Sequence, residues 1–494
     1  MYKMPSRQMS FEDDFFLPFG GHLRSDNRWV ILAKSIPWDA IEEKYSCLFS
    51  DVGQPAKPIR MAVGSLMLRE KLQLSDEELV QQIRENHYLQ FFLGFKSYRD
   101  ESPFDPSVLT KWRKRFTADI LTDINRMIVN HQKEANSKSP QDGGTSGGAA
   151  NSESHDDPSG SETTKNAGKL IIDATCAPAD IKYPTDLGLL NDAREKTEEM
   201  IDILHAPLVK LRKKPRTYRE KARKAYLCLA KQKRPKKNAL RKAIAKQLRY
   251  LRRNLQIIGA LSNFPGAGPL SSCLQEKLVT IERLYAQQLH MHQNKTHQVE
   301  DRIVSIHQPQ VRPIIRGKAK AFVEFGAKIE LSVVNGYSFL ETLSWDAYHE
   351  GKSLQEAIER YRAEYGCYPE AVLADRIYRT RENLRYCKEH GIRLSGPRLG
   401  PKGKFEEQDR KTMLQDNRER NAIEGKIGEG KRRYGLDLIM ARLPETSGSV
   451  IAMQVLVMNL GKILRDLFGS IFDGLVAMIF CFIDRQNRFS WASA

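Results

Sequence analysis

The sequence predicts an α/β fold in which a mixed sheet flanked by helices is interrupted by a helical insertion after its first strand. Two apolar runs of β type end at aspartates, Asp173 and Asp375, and a third β segment contains Asn335-Gly336, a pair that favours a tight hairpin turn. Helical patterns alternate with these segments in the order strand, hairpin, helix, strand, helix, strand, helix. The 494 residues exceed the roughly 250 to 300 at which one core stops growing, so we expect two or three domains.

The N-terminal part, residues 1–134, is predicted to be a self-contained helical domain. Ser75 and Glu78 form a capping-box pattern, and Asp105-Pro106 predicts the start of a helix over SVLTKWRKRF. That helix carries four cations beside Trp112 and is a candidate for entering a DNA groove, although many helical bundles have one basic face. The four candidates for DNA contact are Lys111, Arg113, Lys114 and Arg115.

The next three segments differ in composition. Residues 135–168 have few apolar residues and many Gly, Ser, Pro and Asp, which predicts a flexible linker. Residues 169–468 are predicted to form the α/β domain, interrupted at about 186–305 by a Lys/Arg-rich helical insertion. Residues 469–494 are an apolar C-terminal tail, whose run GLVAMIFCFI is about half of the ~20 residues of a membrane span. We interpret this run as buried or oligomer-facing, with weak membrane contact as the alternative.

Each element of the α/β domain has its own signal. KLIIDATCAPADIKYP predicts a strand and its exit, and FGAKIELSVVNGYSFLETLSW predicts two strands around the hairpin turn. A helix in SLQEAIERYRAEYG ends at Gly366, because glycine adopts the left-handed conformation that closes a helix. The series ends with the strand EAVLAD, the helix TRENLRYCKEHG, the short strand IRLSG and a final helix from about Arg418 to Tyr434.

The charge balance favours a polyanionic partner. The formal net charge is +18 and the isoelectric point is near 9.4, which is typical of proteins that bind nucleic acid or an anionic membrane surface. The segment from Lys210 to Arg253 contains 20 Lys and Arg and one acid, Glu220. A solvated helical face is the alternative interpretation, but like charges at this density repel each other.

Cysteine usage and the N-terminus both indicate a cytoplasmic protein. The seven cysteines include no CxxC pair and no spacing suited to structural zinc, so we expect reduced thiols. The start, MYKMPSRQMSFEDDFF, has acids where a signal peptide has a basic stretch and an apolar run. Export is therefore not expected.

Three carboxylates follow the pattern that metal-dependent phosphoryl transfer requires. Such a reaction uses two divalent cations about 3.5 to 4 Å apart, and these hard ions need carboxylate oxygens converging from different elements. Asp173 and Asp375 lie at strand ends, and Glu424 lies on a predicted helix. An aspartate at a strand end is most often structural, so neither aspartate predicts a metal site alone.

Glu424 has a cation on either side in RERNAIEGKIGEGKRRYG. Arg420, Glu424 and Lys431 lie within about 60° of one another on one helical face. Such a carboxylate is suited to binding a metal ion while the cations hold phosphate oxygens. The alternative is an exposed ion pair worth only ~0.3 to 0.5 kcal/mol. Asp346, in SWDAYHEG, is a candidate for a supporting role.

Taken together, the motifs LIIDAT, VLADRIY and RNAIEGKIGEGK resemble those of the DDE transposases of bacterial insertion sequences, in the insertion-sequence-four and insertion-sequence-five groups. The stretch MSFEDDFFLPFGGHLRSDNRWV and the blocks VRPIIRGKAKAFVEFGAKIELS and SWDAYHEG are similar to the second of those groups. The resemblance implies a ribonuclease-H-like fold with a five-stranded mixed sheet. In that fold the first Asp lies on strand one, the second follows strand four and the Glu lies on the last helix.

The resemblance also implies a site and a reaction. Asp173, Asp375 and Glu424 would be the catalytic residues and the ligands of two Mg²⁺ or Mn²⁺ ions, and Arg420 and Lys431 would contact transposon-end DNA. The enzyme would bind the terminal inverted repeats, cleave the element ends and join the 3′-hydroxyl to target DNA. Its implied partners are double-stranded DNA and a second copy of the chain, with no membrane, in the cytoplasm at the bacterial nucleoid.

One position departs from the family pattern. The usual tyrosine three residues before the Arg is Asn417 here, so a flipped base would need Tyr434 or Trp345 for stacking. Two other functions stay open: a DNA-binding protein derived from a transposase without catalysis, and a ribonuclease-H-like nuclease without strand transfer.

Overall fold

The computed structural model describes residues 16–17, 21–49, 56–138, 165–315, 323–396 and 406–491. Within these ranges, it describes the backbone alone at 136–138, 406–409 and 470–491. The predicted linker, except for its two ends, lies outside the described residues, and so do the side chains of the run GLVAMIFCFI.

Helices fill the described part of the N-terminal region. Ser75 Oγ accepts a hydrogen bond from the Glu78 backbone N–H at 3.1 Å, which confirms the predicted cap. The predicted helix after Pro106 begins at Val108, because the Asp105 carboxylate accepts from the N–H of Ser107 and closes a turn first. The helices are α1 (Arg28–Ser35), α2 (Trp38–Tyr45), α3 (Ile59–Leu72), α4 (Asp76–Glu85), α5 (His87–Phe92), α6 (Val108–Arg115) and α7 (Ala118–Lys138).

A mixed sheet forms the centre of the α/β region. Its strands are β1 (Lys169–Pro178), β2 (Arg312–Ile315), β3 (Val323–Val334), β4 (Tyr337–Ser344), β5 (Ala371–Leu373) and β6 (Arg393–Leu394). The order is β2-β3-β1-β5-β6, and β4 also pairs with β3. β3 is antiparallel to β1, β2 and β4, whereas β5 is parallel to β1 and β6. β2 was not predicted and brings the described sheet to six strands. The hairpin turn is confirmed, with positive φ at Asn335 (52°) and Gly336 (79°).

Four helices follow the hairpin. They are α12 (Leu354–Tyr365), α13 (Arg381–Glu389), α14 (Glu406–Arg433) and α15 (Pro444–Trp491), numbered after the four helices of the insertion. α12 ends at Gly366 in the left-handed conformation, as predicted. α14 begins well before Arg418, the predicted start, and packs against β1, β3 and β5. Two short 3₁₀ turns, Glu350–Lys352 and Arg376–Tyr378, lie against each other beside the sheet.

The insertion between β1 and β2 has a hydrophobic core of its own. Its helices are α8 (Asp186–His205), α9 (Arg219–Ala230), α10 (Lys237–Ser262) and α11 (Ser272–Asn294). Leu190, Leu251 and Leu284 from three of these helices are fully buried in that core. The segment is therefore a folded helical unit and not an extended loop.

The N-terminal helices and the sheet share one hydrophobic core, and α15 runs through it. The fully buried Asn459 of α15 donates to Asn125 Oδ1 of α7 at 2.9 Å and to the Ser338 carbonyl of β4 at 2.8 Å. Among the described residues, Pro444–Gly469 is long and apolar enough to cross a membrane, but 89% of its most apolar window is buried in the protein. Pro444–Gly469 is thus built as a core helix.

Candidate active site

Asp173 lies in the middle of β1, not at its end as predicted, because the strand continues to Pro178 in pairing with β3. Asp375 lies two residues beyond the end of β5, the strand next to β1. Ile171 of β1 pairs with Leu373 of β5 in parallel register, and each aspartate follows two residues later. Because side chains alternate between the faces of a strand, a step of two from paired residues leads to the same face. The two carboxylates therefore converge where β5 ends beside the middle of β1.

The surroundings of Asp173 disfavour its negative charge. Burial, together with the nearby carboxylates of Glu350 and Asp375, raises the pKa of Asp173 to about 6. The Ala174 N–H, which donates to Asp173 Oδ1 at 2.9 Å, and the Arg420 guanidinium act in the opposite direction. A converging group of carboxylates with too little positive charge has the electrostatics of a cation site.

Asp375 begins the 3₁₀ turn Arg376–Tyr378 and is exposed. Its Oδ1 accepts from the Arg376 N–H at 2.7 Å. A cavity of about 200 Å³ lies between this turn and α14 and is lined by Arg376, Arg379 and Arg420. The carboxylate thus stands beside a cationic cavity, in which a phosphate group would meet opposite charge.

Glu424 lies on α14 beside Arg420, and Arg420 faces both Glu424 and Asp173. Arg420 Nη2 is 3.2 Å from Glu424 Oε1, and the Glu424 side chain is 54% exposed. Ile423, fully buried, fixes this part of α14 against the core. Lys431 lies about two turns further along the helix and is half-buried. The structure therefore brings Arg420 to Asp173 and holds Glu424 in an ion pair at the rim.

The donor set fits divalent cations in part. Asp173 and Asp375 offer converging carboxylate oxygens, the ligands that Mg²⁺ and Mn²⁺ prefer. In the part of the chain that the structure describes, no group of three or more His, Cys, Asp or Glu is close enough to hold a metal ion. Glu424 would have to leave Arg420 to complete such a group.

The four cations predicted on α6 have different surroundings. Lys111, Lys114 and Arg115 are exposed, and the Arg115 guanidinium lies 4.5 Å from the Phe49 ring centroid. Arg113 is buried and pairs with Asp76 of α4, with 2.8 Å between Nη1 and Oδ2. Arg113 therefore joins two helices and does not face solvent.

The residues considered for base stacking are not equivalent either. Tyr434 is buried, 6% exposed, with the Lys71 ammonium 5.6 Å from its ring centroid, so its faces are not open to a base. Trp345 is half-buried and packs against the core. Asp346 is 76% exposed and lies 3.7 Å from Arg312, and its supporting role stays a prediction.

Sequence reasoning missed three residues around the site. Glu350 raises the pKa of Asp173 and pairs with Lys328 at 2.9 Å. Glu330 and Tyr378 form a buried hydrogen bond of 2.7 Å directly behind the turn that carries Asp375. The SWDAYHEG block was a usable signal for Glu350, whereas Glu330 sits in a strand that is otherwise apolar and has no sequence signal of its own.

Comparison with known proteins identifies the family. Residues 372–461, which include Asp375 and Glu424, match the family described as Transposase DDE domain, and residues 18–115 match Transposase domain (DUF772). This chain belongs to the transposases of insertion sequences. The transposase is also 30% identical over 183 residues to a Rhizobium meliloti protein named Uncharacterized protein ORF8 in nfe locus. That match covers 37% of the transposase and 77% of the relative. No solved structure matches the transposase.

Proposed function

We propose that this transposase binds the terminal inverted repeats of an insertion sequence, cleaves DNA at the element ends and joins the freed 3′-hydroxyl to target DNA by two-metal-ion phosphoryl transfer. The observation that carries the proposal is the convergence of Asp173, on β1, and Asp375, just after the adjacent parallel strand β5, with Arg420 facing them from α14. Neither family match includes Asp173, so its role depends on this geometry.

The strand arrangement supports a ribonuclease-H-like fold for this region. The path β4-β3-β1-β5-β6 places an antiparallel meander next to two parallel strands, and α14 packs on the sheet beside β1 and β5. Along the chain, Asp173 lies on β1, Asp375 follows β5 and Glu424 lies on α14, which is the order of the two Asp and the Glu in that fold. We assign the chain to the insertion-sequence-four and insertion-sequence-five groups on the motifs quoted above.

Each residue of the site has a separate task in this proposal. Two Mg²⁺ or Mn²⁺ ions, when bound, supply the positive charge that stabilises the attacking and leaving oxygens. Asp173 and Asp375 provide oxygen ligands from the sheet, and Glu424 provides the third carboxylate when it separates from Arg420. Arg420 is then free to pair with a phosphate of the transposon end, with Lys431 contacting the same strand.

The remaining DNA contacts come from two helical regions. The exposed Lys111, Lys114 and Arg115 of α6 bind transposon-end DNA, whereas Arg113 serves the ion pair with Asp76. The basic surface of the insertion, Lys210–Arg253, tracks the DNA backbone. Of its 20 Lys and Arg, 19 are exposed, and within the described residues only Lys214 and Arg219 pair with an acid, Asp202. Two copies of the chain hold the two ends together.

Alanine substitution of the three acids tests the proposal. Asp173→Ala, Asp375→Ala and Glu424→Ala should each abolish cleavage while terminal-repeat binding stays close to wild type, because each removes a metal ligand and no phosphate contact. A matched control is Glu356→Ala, since Glu356 forms a similar exposed ion pair with Arg360, four residues away on α12. Cleavage by any of the three variants within about tenfold of wild type would remove that residue from the site.

The gel assay uses terminal-repeat DNA and a target plasmid with Mg²⁺, Mn²⁺ or Ca²⁺. Joined products support the transposase proposal, cut products alone indicate a nuclease without strand transfer, and shifted bands alone indicate a DNA-binding protein without catalysis. Mg²⁺ and Mn²⁺ should support turnover. Ca²⁺ should permit binding with little chemistry, because it accepts looser geometry than an in-line displacement requires; full turnover in Ca²⁺ would contradict the two-metal assignment.

A further inference from the structure

A buried carboxylate that no proposed step uses lies directly behind the proposed active site. Glu330 of β3 is fully buried and pairs with Ala174, the residue after Asp173, across the sheet. The register of β3 and β4 shifts between Glu330 and Leu331. Such irregularities re-aim side chains and are frequent beside active sites.

Three hydroxyl groups satisfy this carboxylate. Glu330 Oε1 accepts from Tyr378 Oη at 2.7 Å, and Oε2 accepts from Thr342 Oγ1 at 3.2 Å. Ser353 Oγ lies 2.8 Å from both Glu330 Oε1 and the Glu350 carbonyl oxygen, which share its one proton. Within the described residues, no Lys or Arg forms an ion pair with it. A buried charge without a cation is costly unless it is fully hydrogen-bonded, so these hydroxyls are tied to Glu330.

Tyr378 connects this network to Asp375. The turn between them is exposed at Asp375, Arg376 and Ile377, and Tyr378 is its fully buried end. The Tyr378 N–H donates to the Asp375 carbonyl at 3.1 Å, which closes the turn. The position of the exposed carboxylate therefore depends on how firmly Tyr378 is anchored.

A second anchor joins this turn to the one that carries Glu350. The buried Asn383 side chain donates to the Tyr378 carbonyl at 2.8 Å and to the Gly351 carbonyl at 2.7 Å. Gly351 has no room for a larger residue, because a Cβ there would lie 2.8 Å from Thr380 Cγ2 and 3.0 Å from the Ile377 carbonyl oxygen. The two turns are thus packed together without free space.

We infer that Glu330 is a positioning residue for the proposed reaction: through Tyr378 it fixes the turn of Asp375 relative to Asp173 on β1. The inference rests on the proposed function. Two metal ions must sit a few ångströms apart on either side of one phosphate, so a small displacement of one aspartate impairs both metal binding and alignment. Glu330 itself touches neither metal ion nor DNA.

The test removes single hydroxyl or carboxylate groups and keeps shape. Tyr378→Phe should lower kcat for cleavage roughly ten- to a hundredfold, the order expected when a reacting group is slightly misplaced, with KM for terminal-repeat DNA unchanged. It should also weaken Mn²⁺ binding to the DNA-free protein, measured by electron paramagnetic resonance. Glu330→Leu should act in the same way. Glu330→Gln should stay near wild type, because its amide retains an acceptor for Tyr378 and Ser353 and offers a donor to Thr342.

Tyr386→Phe is the matched control. The Tyr386 hydroxyl also donates to a glutamate, Glu359, but this pair lies at the surface, and the substitution should change neither kcat nor Mn²⁺ binding. Unchanged kcat and Mn²⁺ binding in Tyr378→Phe would overturn the inference. So would a Glu330→Gln variant as inactive as Glu330→Leu, since the charge itself would then be required. A parallel loss of melting temperature, DNA binding and activity in Tyr378→Phe would show a structural role instead. Failure of the proposed function is recognised separately, because either the wild type would not cleave DNA or Asp375→Ala would cleave it as well as the wild type, and the role of Glu330 would fall with it.

Discussion

At the scale of single residues, Asp173 carries a charge that its surroundings disfavour. Its pKa, raised to about 6 by burial and by Glu350 and Asp375, lies above the ordinary 3.8 of an aspartate. Ionisation of Asp173 therefore destabilises the metal-free fold above pH 6, and this destabilisation is absent below pH 3.8, where the group is protonated both folded and unfolded. Cation binding would remove the conflict.

The neutral Asp173→Asn variant should consequently melt at a higher temperature than wild type above pH 6 in chelator. The difference should shrink as the pH falls through 6 and vanish near pH 4, where wild-type Asp173 is itself neutral. Differential scanning fluorimetry between pH 4 and 8 measures it. Asp346→Asn, at an exposed position, is the control and should show no such pH dependence. A constant difference at every pH would mean that packing, and not charge, separates the two proteins.

Sequence reasoning identified residues whose role follows from the local sequence pattern. It failed for residues whose interaction partners are far away in the sequence. Asp173 and Asp375 end apolar runs, so their convergence followed from the expectation that both runs are strands in one sheet. Arg113 was grouped with its exposed neighbours because its partner, Asp76, lies 37 residues away. Glu330 was not considered, since the hydroxyls that make its burial possible come from three separate elements.

At the scale of elements, local rules predicted the caps and turns. The Ser75 cap, the Asn335-Gly336 turn and the Gly366 helix end each depend on one or two residues and are confirmed. The first half of α14 was missed because EEQDRKTMLQDN has few apolar residues and gives no helical periodicity. β2 was missed because four residues are too few for an alternating pattern; it is stabilised by pairing with β3.

The prediction at the scale of elements concerns the salt dependence of DNA binding by the basic surface of α9 and α10. Each phosphate that it neutralises should add about 0.9 to the slope of log affinity against log salt concentration. Replacing five exposed cations of α10 by Gln should flatten that slope by roughly 4 to 5 and weaken terminal-repeat and random DNA equally, because phosphate contacts do not read bases. The five positions are Lys237, Arg241, Lys242, Lys246 and Arg252.

The control keeps the charge and changes the side chain, with Lys→Arg and Arg→Lys at the same five positions. Its slope should equal that of wild type. Fluorescence anisotropy with both DNAs across a salt series gives the two slopes and their ratio. An unchanged slope in the Gln variant would mean that α10 is a solvated face or a protein-binding surface, the alternative that the charge pattern left open.

At the scale of the whole molecule, the boundaries between hydrophobic cores do not coincide with the boundaries that composition predicts. The low-complexity stretch at 135–168 marks a boundary in sequence, yet α7 before it and β4 after it lie in one core with α15. Composition along the chain cannot reveal this, because the contacts join residues more than 200 positions apart, such as Asn125 and Ser338. The insertion, in contrast, was recognisable from composition and has its own core.

This arrangement predicts two separable units of unfolding. Asn459 of α15 bonds to Asn125 and Ser338, so Asn459→Ala leaves buried polar groups unpaired and should destabilise the shared core by about 1 to 3 kcal/mol. Native-state hydrogen exchange should then show faster opening of α7 and β4 together, with α8 and α10 unchanged. The matched variant is Asn254→Ala, because Asn254 is equally buried in the insertion and donates to Thr197 at 3.0 Å. It should accelerate exchange in α8 and α10 and leave α7 and β4 protected. Faster exchange in α7 alone after Asn459→Ala would show that the N-terminal helices form an independent unit, as their sequence predicted.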